Sequence, residues 1–149
     1  MYFKIISIGS LKEDYLKKGV AEYQKRLGKY GKIEFIELSE SPRDNVTEEG
    51  ISILKRIKDD DFVIAMVIEG KQLTSVELAK YIEDTYTYKN SCINFIIGGS
   101  NGLDKSVTER ANLKLSFSKL TFPHQLMKLI LIEQIYRSVK IIKNEQYHK

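Results

Sequence analysis

The chain has 149 residues, of which 42% are hydrophobic and 30% are charged, a composition typical of a soluble globular domain. This length is enough for a single domain with a sizeable core, and no apolar run approaches the length that spans a membrane. The 24 basic and 20 acidic residues give a net charge of +4 and a pI of about 9.0. That charge permits an RNA partner without requiring one.

The one cysteine and the N-terminus indicate the compartment. Cys92 cannot form an internal disulfide, and it lies inside an apolar run, where we expect a packed core thiol. The N-terminus enters a strand-like pattern at once and lacks the layout of a signal peptide. We therefore expect a cytoplasmic protein with no membrane contact and one domain, residues 1–149.

The first half of the chain alternates strand and helix patterns. Isoleucine and aromatic residues predict a strand over residues 2–8, and apolar residues spaced by three and four positions predict an amphipathic helix over 12–30. Residues 33–38 predict a second strand. After a polar loop, Thr47 is the candidate cap of a second helix. The aspartates at 59–61 predict a loop, because acidic side chains are unfavourable at a helix C-terminus.

Two fully apolar runs follow and predict buried strands. Residues 62–68 predict a central parallel strand that turns at Gly70-Lys71. Residues 74–77 form a capping box that starts a helix running to about residue 86. The second run, 93–97, ends in the glycine-rich loop 98–102. A strand followed by such a loop is where open α/β sheets bind ligands, although a tight turn without a ligand is the simpler alternative.

The end of the chain predicts a short helix, a fifth strand and a long helix. The short helix covers residues 104–110, the strand 113–116, and Pro123 suits the first position of the long helix, 124–143. This helix is apolar nearly all round, so its second face implies either a partner, most simply another copy, or burial inside the monomer. Five strands alternating with helices predict a single-domain α/β fold with a mainly parallel sheet flanked by helices.

Several segments together resemble a known family. They are Ile97–Leu103 (IGGSNGL), Leu115–His124 (LSFSKLTFPH), Ile132–Arg137 (IEQIYR), the C-terminal Tyr147–Lys149, and the N-terminal Ile8–Lys12 and Tyr23–Leu27. On these residues the chain resembles the bacterial large-subunit rRNA methyltransferase H family of the SPOUT class over essentially its whole length.

The resemblance implies a fold, a cofactor and partners that the residue patterns do not show. It implies a SPOUT-type domain with a C-terminal trefoil knot, which general topology rules would disfavour. It implies an obligate homodimer with S-adenosylmethionine as methyl donor. The implied acceptor is N3 of a pseudouridine in the helix 69 loop of 23S rRNA, in the assembled ribosome. No metal is expected, because the sulfonium donor is already activated.

The resemblance also implies a cofactor site. The matching positions are Met66, Gly98, Phe117, Ser118, Lys119, Leu120, Thr121 and Phe122. Ordinary core packing is the alternative for Met66 and the two phenylalanines, and hydrogen bonds within a turn for Ser118 and Thr121. The family pattern predicts an acidic residue directly after Met66, but here Val67 occupies that position and the acid is Glu69.

The C-terminal tail supplies the candidate catalytic residues. We hypothesise that it folds over the target base, with Tyr147 stacking and His148 accepting or relaying a proton. Arg137 is assigned to a substrate phosphate or to the deprotonated imide, with an ion pair at a dimer interface as the alternative. His124 is expected to be structural or to lie beside the cofactor.

Two other classes of protein stay open. A non-catalytic ribosome- or RNA-binding protein with the same fold is one, and Val67 is the only feature that favours it. A nucleotide-binding enzyme unrelated to methylation is the other. That enzyme requires a phosphate-binding glycine fingerprint after the first strand, which residues 8–12 do not supply.

Overall fold

A computed structural model describes residues 1–89 and 92–149 and shows one five-stranded sheet. Its strands are β1 (Tyr2–Ile8), β2 (Lys32–Leu38), β3 (Phe62–Gln72), β4 (Ile93–Ile97) and β5 (Leu113–Ser116). The helices are α1 (Asp14–Leu27), α2 (Val46–Leu54), α3 (Ser75–Lys89), α4 (Lys105–Arg110) and α5 (His124–Ile142). The strand order is β2-β1-β4-β3-β5 and every neighbouring pair is parallel, which confirms the predicted α/β class.

Helices cover both faces of this sheet. Side chains alternate along β1, so that Phe3 and Ile5 join the core under α1, α3 and α5, whereas Ile6 joins the smaller core under α2 and α4. All five residues of β4 are buried, as expected for a central strand with helices on both sides. None of the helices in the described residues is long and apolar enough to cross a membrane.

The long helix α5 packs between α1 and α3 on the sheet. Leu131, Ile135 and Val139 are fully buried, and no residue of α5 is exposed. On the α1 side, Leu129 lies so close to Gly19 that a Cβ added there would be 2.9 Å from Leu129 Cδ1. Packing inside the chain therefore explains apolar residues on more than one side of α5, and the homodimer stays a prediction.

Strand β3 is longer than the sequence predicts. The turn predicted at Gly70-Lys71 is wrong, because the chain bulges after Met66 and pairs with β5 again from Lys71 to Gln72. The bulge brings Gly70 against β5, where a Cβ would lie 2.8 Å from the Lys114 carbonyl oxygen. The trefoil knot stays a prediction, since strand order and pairing do not define how the chain is threaded.

Two helix starts test the capping predictions. Thr47 is not the cap of α2; Asn45 is, and its Oδ1 accepts the N–H groups of Thr47 and Glu48 at 3.0 and 3.3 Å. The capping box of α3 is confirmed. Glu77 accepts the Thr74 N–H at 2.7 Å, and Thr74 Oγ1 accepts the Glu77 N–H at 3.1 Å.

The buried side chain of Lys128 connects the first turns of α5 to the sheet. The Lys128 side chain is 1% exposed, and its Nζ donates to the Gly9 carbonyl at 2.6 Å and to Glu37 Oε2 at 3.1 Å. The same Glu37 oxygen accepts the Leu11 N–H at 2.6 Å. One ammonium group thus joins α5 to the ends of β1 and β2.

Replacing Lys128 with methionine is expected to lower the free energy of unfolding by about 1–3 kcal/mol, because the Gly9 carbonyl loses its buried donor. Water compensates part of the loss, since the Glu37 side chain is 37% exposed. Urea denaturation measures the change. The control is Lys80→Met, whose exposed pair with Asp84 is expected to contribute no more than about 0.5 kcal/mol. Equal effects of the two substitutions would contradict the anchoring role of Lys128.

Candidate active site

A cavity of about 680 Å³ opens at the carboxyl ends of β3, β4 and β5. Its walls are the start of the β3 bulge (66–69), the glycine loop after β4 (97–103), and the β5–α5 loop with the adjoining first turn of α5. Because parallel strands present their carboxyl ends at one edge, these distant segments meet there. The volume lies within the range of about 300–1,000 Å³ that is typical of small-molecule sites.

The glycine loop after β4 is closed by contacts between its own backbone atoms, and the backbone of Gly102 faces open space. A Cβ at Gly98 would lie 2.6 Å from the Gly102 carbonyl oxygen, so the close approach requires glycine. The Gly102 N–H donates to the Gly99 carbonyl at 3.1 Å, and Gly102 has a φ of +77°. At Gly102 an added Cβ would meet no atom within 4 Å. The loop therefore gives a ligand close access to peptide groups.

The β5–α5 loop is shaped by hydrogen bonds of Ser116 and Ser118. Ser116 Oγ donates to the Ser118 carbonyl at 3.0 Å, and Ser118 Oγ accepts the Leu120 N–H at 3.0 Å. Ser118 thus forms a hydrogen bond within the turn, which is the role we gave as the alternative to cofactor binding. Leu120 is 71% exposed although it lines the cavity.

Most of the predicted cofactor residues line this cavity. The seven that do are Met66, Gly98, Phe117, Ser118, Leu120, Thr121 and Phe122. Lys119 does not; it is exposed and lines a neighbouring cavity together with Glu69 and Gln72. Contact of these residues with a cofactor stays a prediction.

The acidic residue Glu69 lines the cavity, although Val67 occupies the position where the family pattern predicts an acidic residue. Val67 is half-buried in the wall, and the exposed Glu69 lines both this cavity and the neighbouring one that Lys119 lines. Sequence alone did not indicate this, because the bulge that turns Glu69 toward the cavity depends on pairing with β5.

The three predicted catalytic residues meet in a second place, the C-terminal cluster, around Glu133. The Glu133 carboxylate accepts Arg137 Nη2 at 2.6 Å and the Tyr147 hydroxyl at 2.9 Å. Arg137 Nη1 lies 3.2 Å from His148 Nδ1, and since a guanidinium only donates, this contact requires an unprotonated Nδ1. Sequence reasoning missed Glu133, although its position four residues before Arg137 on a helix is a typical ion-pair spacing.

The electrostatics of the C-terminal cluster favour charged Arg137 and neutral Tyr147. The hydrogen bond to Glu133 raises the pKa of Arg137. Burial, with hydrogen bonds to Tyr23 and Glu133, raises the pKa of Tyr147. Arg137 forms its ion pair with Glu133 of the same chain, and an interface role for Arg137 stays a prediction.

The tail that carries the C-terminal cluster is docked, not frayed. The Tyr147 ring packs edge-on against Tyr136 at 4.9 Å between centroids, and Arg137 lies over it at 4.8 Å. Glu145 accepts the Tyr30 hydroxyl at 2.5 Å and also pairs with Lys140. Within the described residues no group of three or more histidine, cysteine, aspartate or glutamate side chains could hold a metal ion.

The cavity and the C-terminal cluster of one chain are separated. His124 lines the cavity at the start of α5, and Arg137 lies thirteen residues later on the same helix. At 1.5 Å per residue this is about 20 Å along the helix axis. The structure thus gathers the predicted cofactor residues and the predicted catalytic residues into two groups at different places.

Comparisons with known proteins agree with this fold. A family model described as "Predicted SPOUT methyltransferase" matches residues 1–148. The chain therefore belongs to the SPOUT methyltransferases. Proteins named "Ribosomal RNA large subunit methyltransferase H" from Clostridium beijerinckii and Bacillus thuringiensis subsp. konkukian are each 52% identical to it, and one from Bacillus pumilus is 51% identical, over the full length of both chains. Within the SPOUT class, the chain is a member of this methyltransferase H family.

A solved structure shares the fold at low identity. The crystal structure of tRNA (m1G37) methyltransferase from Aquifex aeolicus aligns with a TM-score of 0.56 and 15% identity, covering 92% of this chain and 70% of that one. At this identity the likeness concerns the fold alone.

Proposed function

We propose that this cytoplasmic protein transfers methyl from S-adenosylmethionine to N3 of a pseudouridine in the helix 69 loop of 23S rRNA, in assembled ribosomes. The observation that carries the proposal is the cavity at the carboxyl edge of the sheet, walled by the segments that resemble the methyltransferase H family. The full-length match to that family supports the reaction class.

The cavity fits the proposed cofactor in size and chemistry. Apolar side chains such as Ile97, Phe117 and Phe122 suit an adenine ring, and the two loops offer peptide groups for its polar edge. The backbone at Gly102 faces open space and admits the ligand closely, while Gly98 allows the loop to close on itself. When bound, S-adenosylmethionine supplies an electrophilic methyl group. Lys119 contributes only through its backbone, since its side chain lies outside.

The C-terminal cluster supplies the groups that the acceptor needs. N3 of pseudouridine is a weakly acidic imide, so its proton must leave as the new bond forms. In the proposed reaction Arg137 Nη1 moves from His148 Nδ1 to the negative charge of the imide, while Glu133 keeps hold of the guanidinium. His148 Nδ1, released in this way, accepts or relays the proton. Tyr147 stacks on the base. Positioning is expected to provide most of the rate enhancement, with a general base adding about 100-fold.

A homodimer brings the two groups together. Because Arg137 lies about 20 Å along α5 from His124 at the cavity, and the tail packs beside Arg137, we propose that each tail serves the cavity of the partner. Leu120 and Ile68, which are 71% and 49% exposed at the cavity wall, are covered in this arrangement.

Mixed dimers of Gly98→Ala and His148→Ala protomers test this arrangement. If the tail acts on the partner's cavity, random mixing restores about a quarter of wild-type methyl transfer, because half of the dimers carry one intact site. If each tail served its own cavity, no mixed dimer would contain an intact site and activity would stay at the level of the parents. Mass spectrometry of the intact dimers verifies the mixing.

Transfer of radiolabelled methyl into ribosomes lacking the modification, free large subunits and naked 23S rRNA tests the substrate. We expect label in ribosomes and little in naked RNA, since a chain of 149 residues has little surface for reading sequence and recognises folded RNA by shape. Equal label in ribosomes and naked RNA would contradict the ribosome preference.

The alternative function is a ribosome-binding protein that has kept the fold without chemistry. Val67, in place of the acidic residue of the family pattern, is the observation that favours it. Calorimetric titration with S-adenosylmethionine separates the two functions. Saturable binding at one site per chain supports the enzyme, and no binding by the folded protein supports the alternative.

A further inference from the structure

A strip of lysines with one exposed tyrosine runs along α1, apart from the cavity and the C-terminal cluster. The α1 strip comprises Lys12, Tyr15, Lys18, Lys25 and Lys29, all of them exposed. The intervals between Tyr15, Lys18, Lys25 and Lys29 are three, seven and four residues. These four residues therefore lie on one side of α1 and of the turn that follows it. Tyr15 is 67% exposed, and within the described residues its ring forms no aromatic pair and stacks under no cation.

The lysines of the α1 strip have no partners within the chain. In the described residues, neither an ion pair nor a side-chain hydrogen bond involves any of the four, whereas Lys80 and Lys105 on α3 and α4 each pair with a carboxylate one turn away. Glu22 lies among them but pairs with Arg26 at 2.9 Å. Glu13 and Asp14 are also exposed at the start of α1, so the strip carries an excess of positive charge toward its C-terminal end, with lysine ammonium groups that form no ion pair in the described residues.

The α1 strip begins beside the cavity. The Lys12 N–H donates to Gln125 Oε1 at 2.7 Å, and Gln125 follows His124, which lines the cavity. Tyr15 lies in the first turn of α1, after the carboxyl end of β1, and thus at the same edge of the sheet. The other side of α1 packs inward through Leu16 and Val20, so the strip faces solvent.

We propose that the α1 strip binds the RNA substrate, with Tyr15 stacking on an unpaired base and the lysines contacting the flanking phosphates. The inference rests on the proposed function and adds a substrate-binding surface to it. Lysines bind phosphates with release of counterions, and an exposed aromatic ring stacks on bases that are not held in a helix. An acidic protein surface would use the lysines but would leave the ring without a role.

The first test replaces Tyr15 with alanine and measures ribosome affinity by co-sedimentation, together with KM and kcat for ribosomes. Loss of one stacked base is expected to weaken affinity and raise KM by about 5- to 100-fold, with kcat and S-adenosylmethionine affinity unchanged. Tyr15→Phe should retain the affinity. The matched control is Tyr88→Ala, which removes a tyrosine that is 82% exposed in the last turn of α3, at the opposite edge of the sheet.

Three outcomes of this test would overturn the proposal. They are unchanged ribosome affinity of Tyr15→Ala, an equal loss in Tyr88→Ala, and conversion of Tyr15→Ala to monomers in light scattering. The last would assign Tyr15 to the interface between two copies. Co-sedimentation measures ribosome binding and needs no catalysis. If the wild type transferred no methyl, the proposed function would be contradicted, but ribosome binding by the α1 strip would still be measured.

The second test addresses the lysines through the salt dependence of ribosome binding. Replacing Lys12, Lys18 and Lys25 with glutamine is expected to reduce the slope of log affinity against log salt by about 2, from three lost contacts to single-stranded phosphates. The control replaces Lys55, Lys58 and Lys80, which are exposed and lie outside α1 and outside the segments that line the cavity, and so removes the same charge. Equal slopes for the two triple variants would overturn the proposal, since net charge alone would then explain the binding.

Discussion

His148→Ala is expected to lower the turnover number about 100-fold or more, the contribution of a positioned general base. The affinity for S-adenosylmethionine should change by less than about twofold, because the cavity residues keep their places and positioning of the cofactor is separate from proton transfer. Single-turnover methylation of ribosomes at saturating cofactor measures the chemical step directly.

The neighbouring tail residue Lys149 provides the control for His148. Lys149→Ala changes the same exposed tail but removes no group of the C-terminal cluster, so turnover should stay within about twofold of wild type, as for an ordinary surface substitution. Unchanged turnover in His148→Ala would remove this histidine from the mechanism. An equal loss in both variants would show that tail docking, and not proton transfer, is what the substitution disturbs.

Gly98→Ala is expected to weaken S-adenosylmethionine binding about 100-fold, which corresponds to about 2.7 kcal/mol. A Cβ at this position would lie 2.6 Å from the Gly102 carbonyl oxygen and 2.7 Å from its carbon, both of them backbone atoms. The glycine loop must therefore open, which displaces the wall formed by residues 97–103. Equilibrium dialysis with labelled cofactor measures the loss.

Gly28→Ala is the matched control, because it adds the same methyl group at the end of α1, outside the cavity. Gly28 has a right-handed φ of −55°, and its added Cβ would lie 3.3 Å from the Lys25 carbonyl oxygen. Cofactor affinity should not change. Wild-type affinity in Gly98→Ala would contradict the assignment of the glycine loop to the cofactor, provided that thermal unfolding shows a folded protein.

Local patterns predicted the features of this fold that depend on local interactions. The apolar run 93–97 became the central strand, and the Thr74–Glu77 box formed both of its hydrogen bonds, because burial and capping depend on neighbouring residues. The continuation of β3 to Gln72 was not predictable in the same way. It depends on pairing with β5, more than forty residues away, which overrides the turn tendency of Gly70.

The site was predicted in its parts but not in its arrangement. The resemblance supplied both groups of residues, and the structure places Lys119 outside the cavity because the loop turns at Ser118. The spacing of Glu133 and Arg137 on one helix indicates their ion pair, whereas the hydrogen bond from Tyr147 to Glu133 depends on how the tail packs and was not predictable. The separation of His124 from Arg137 was implicit in their spacing, once both were known to lie on one helix.

The most direct test of the proposed reaction is mass spectrometry of the nucleosides from the helix 69 fragment of treated ribosomes. We expect one added methyl group on a pseudouridine, at N3, in wild-type reactions, and a large loss of it with Gly98→Ala when S-adenosylmethionine is below saturation. Methyl on another nucleoside, on another atom of pseudouridine, or nowhere in the RNA despite bound cofactor would contradict the proposed reaction.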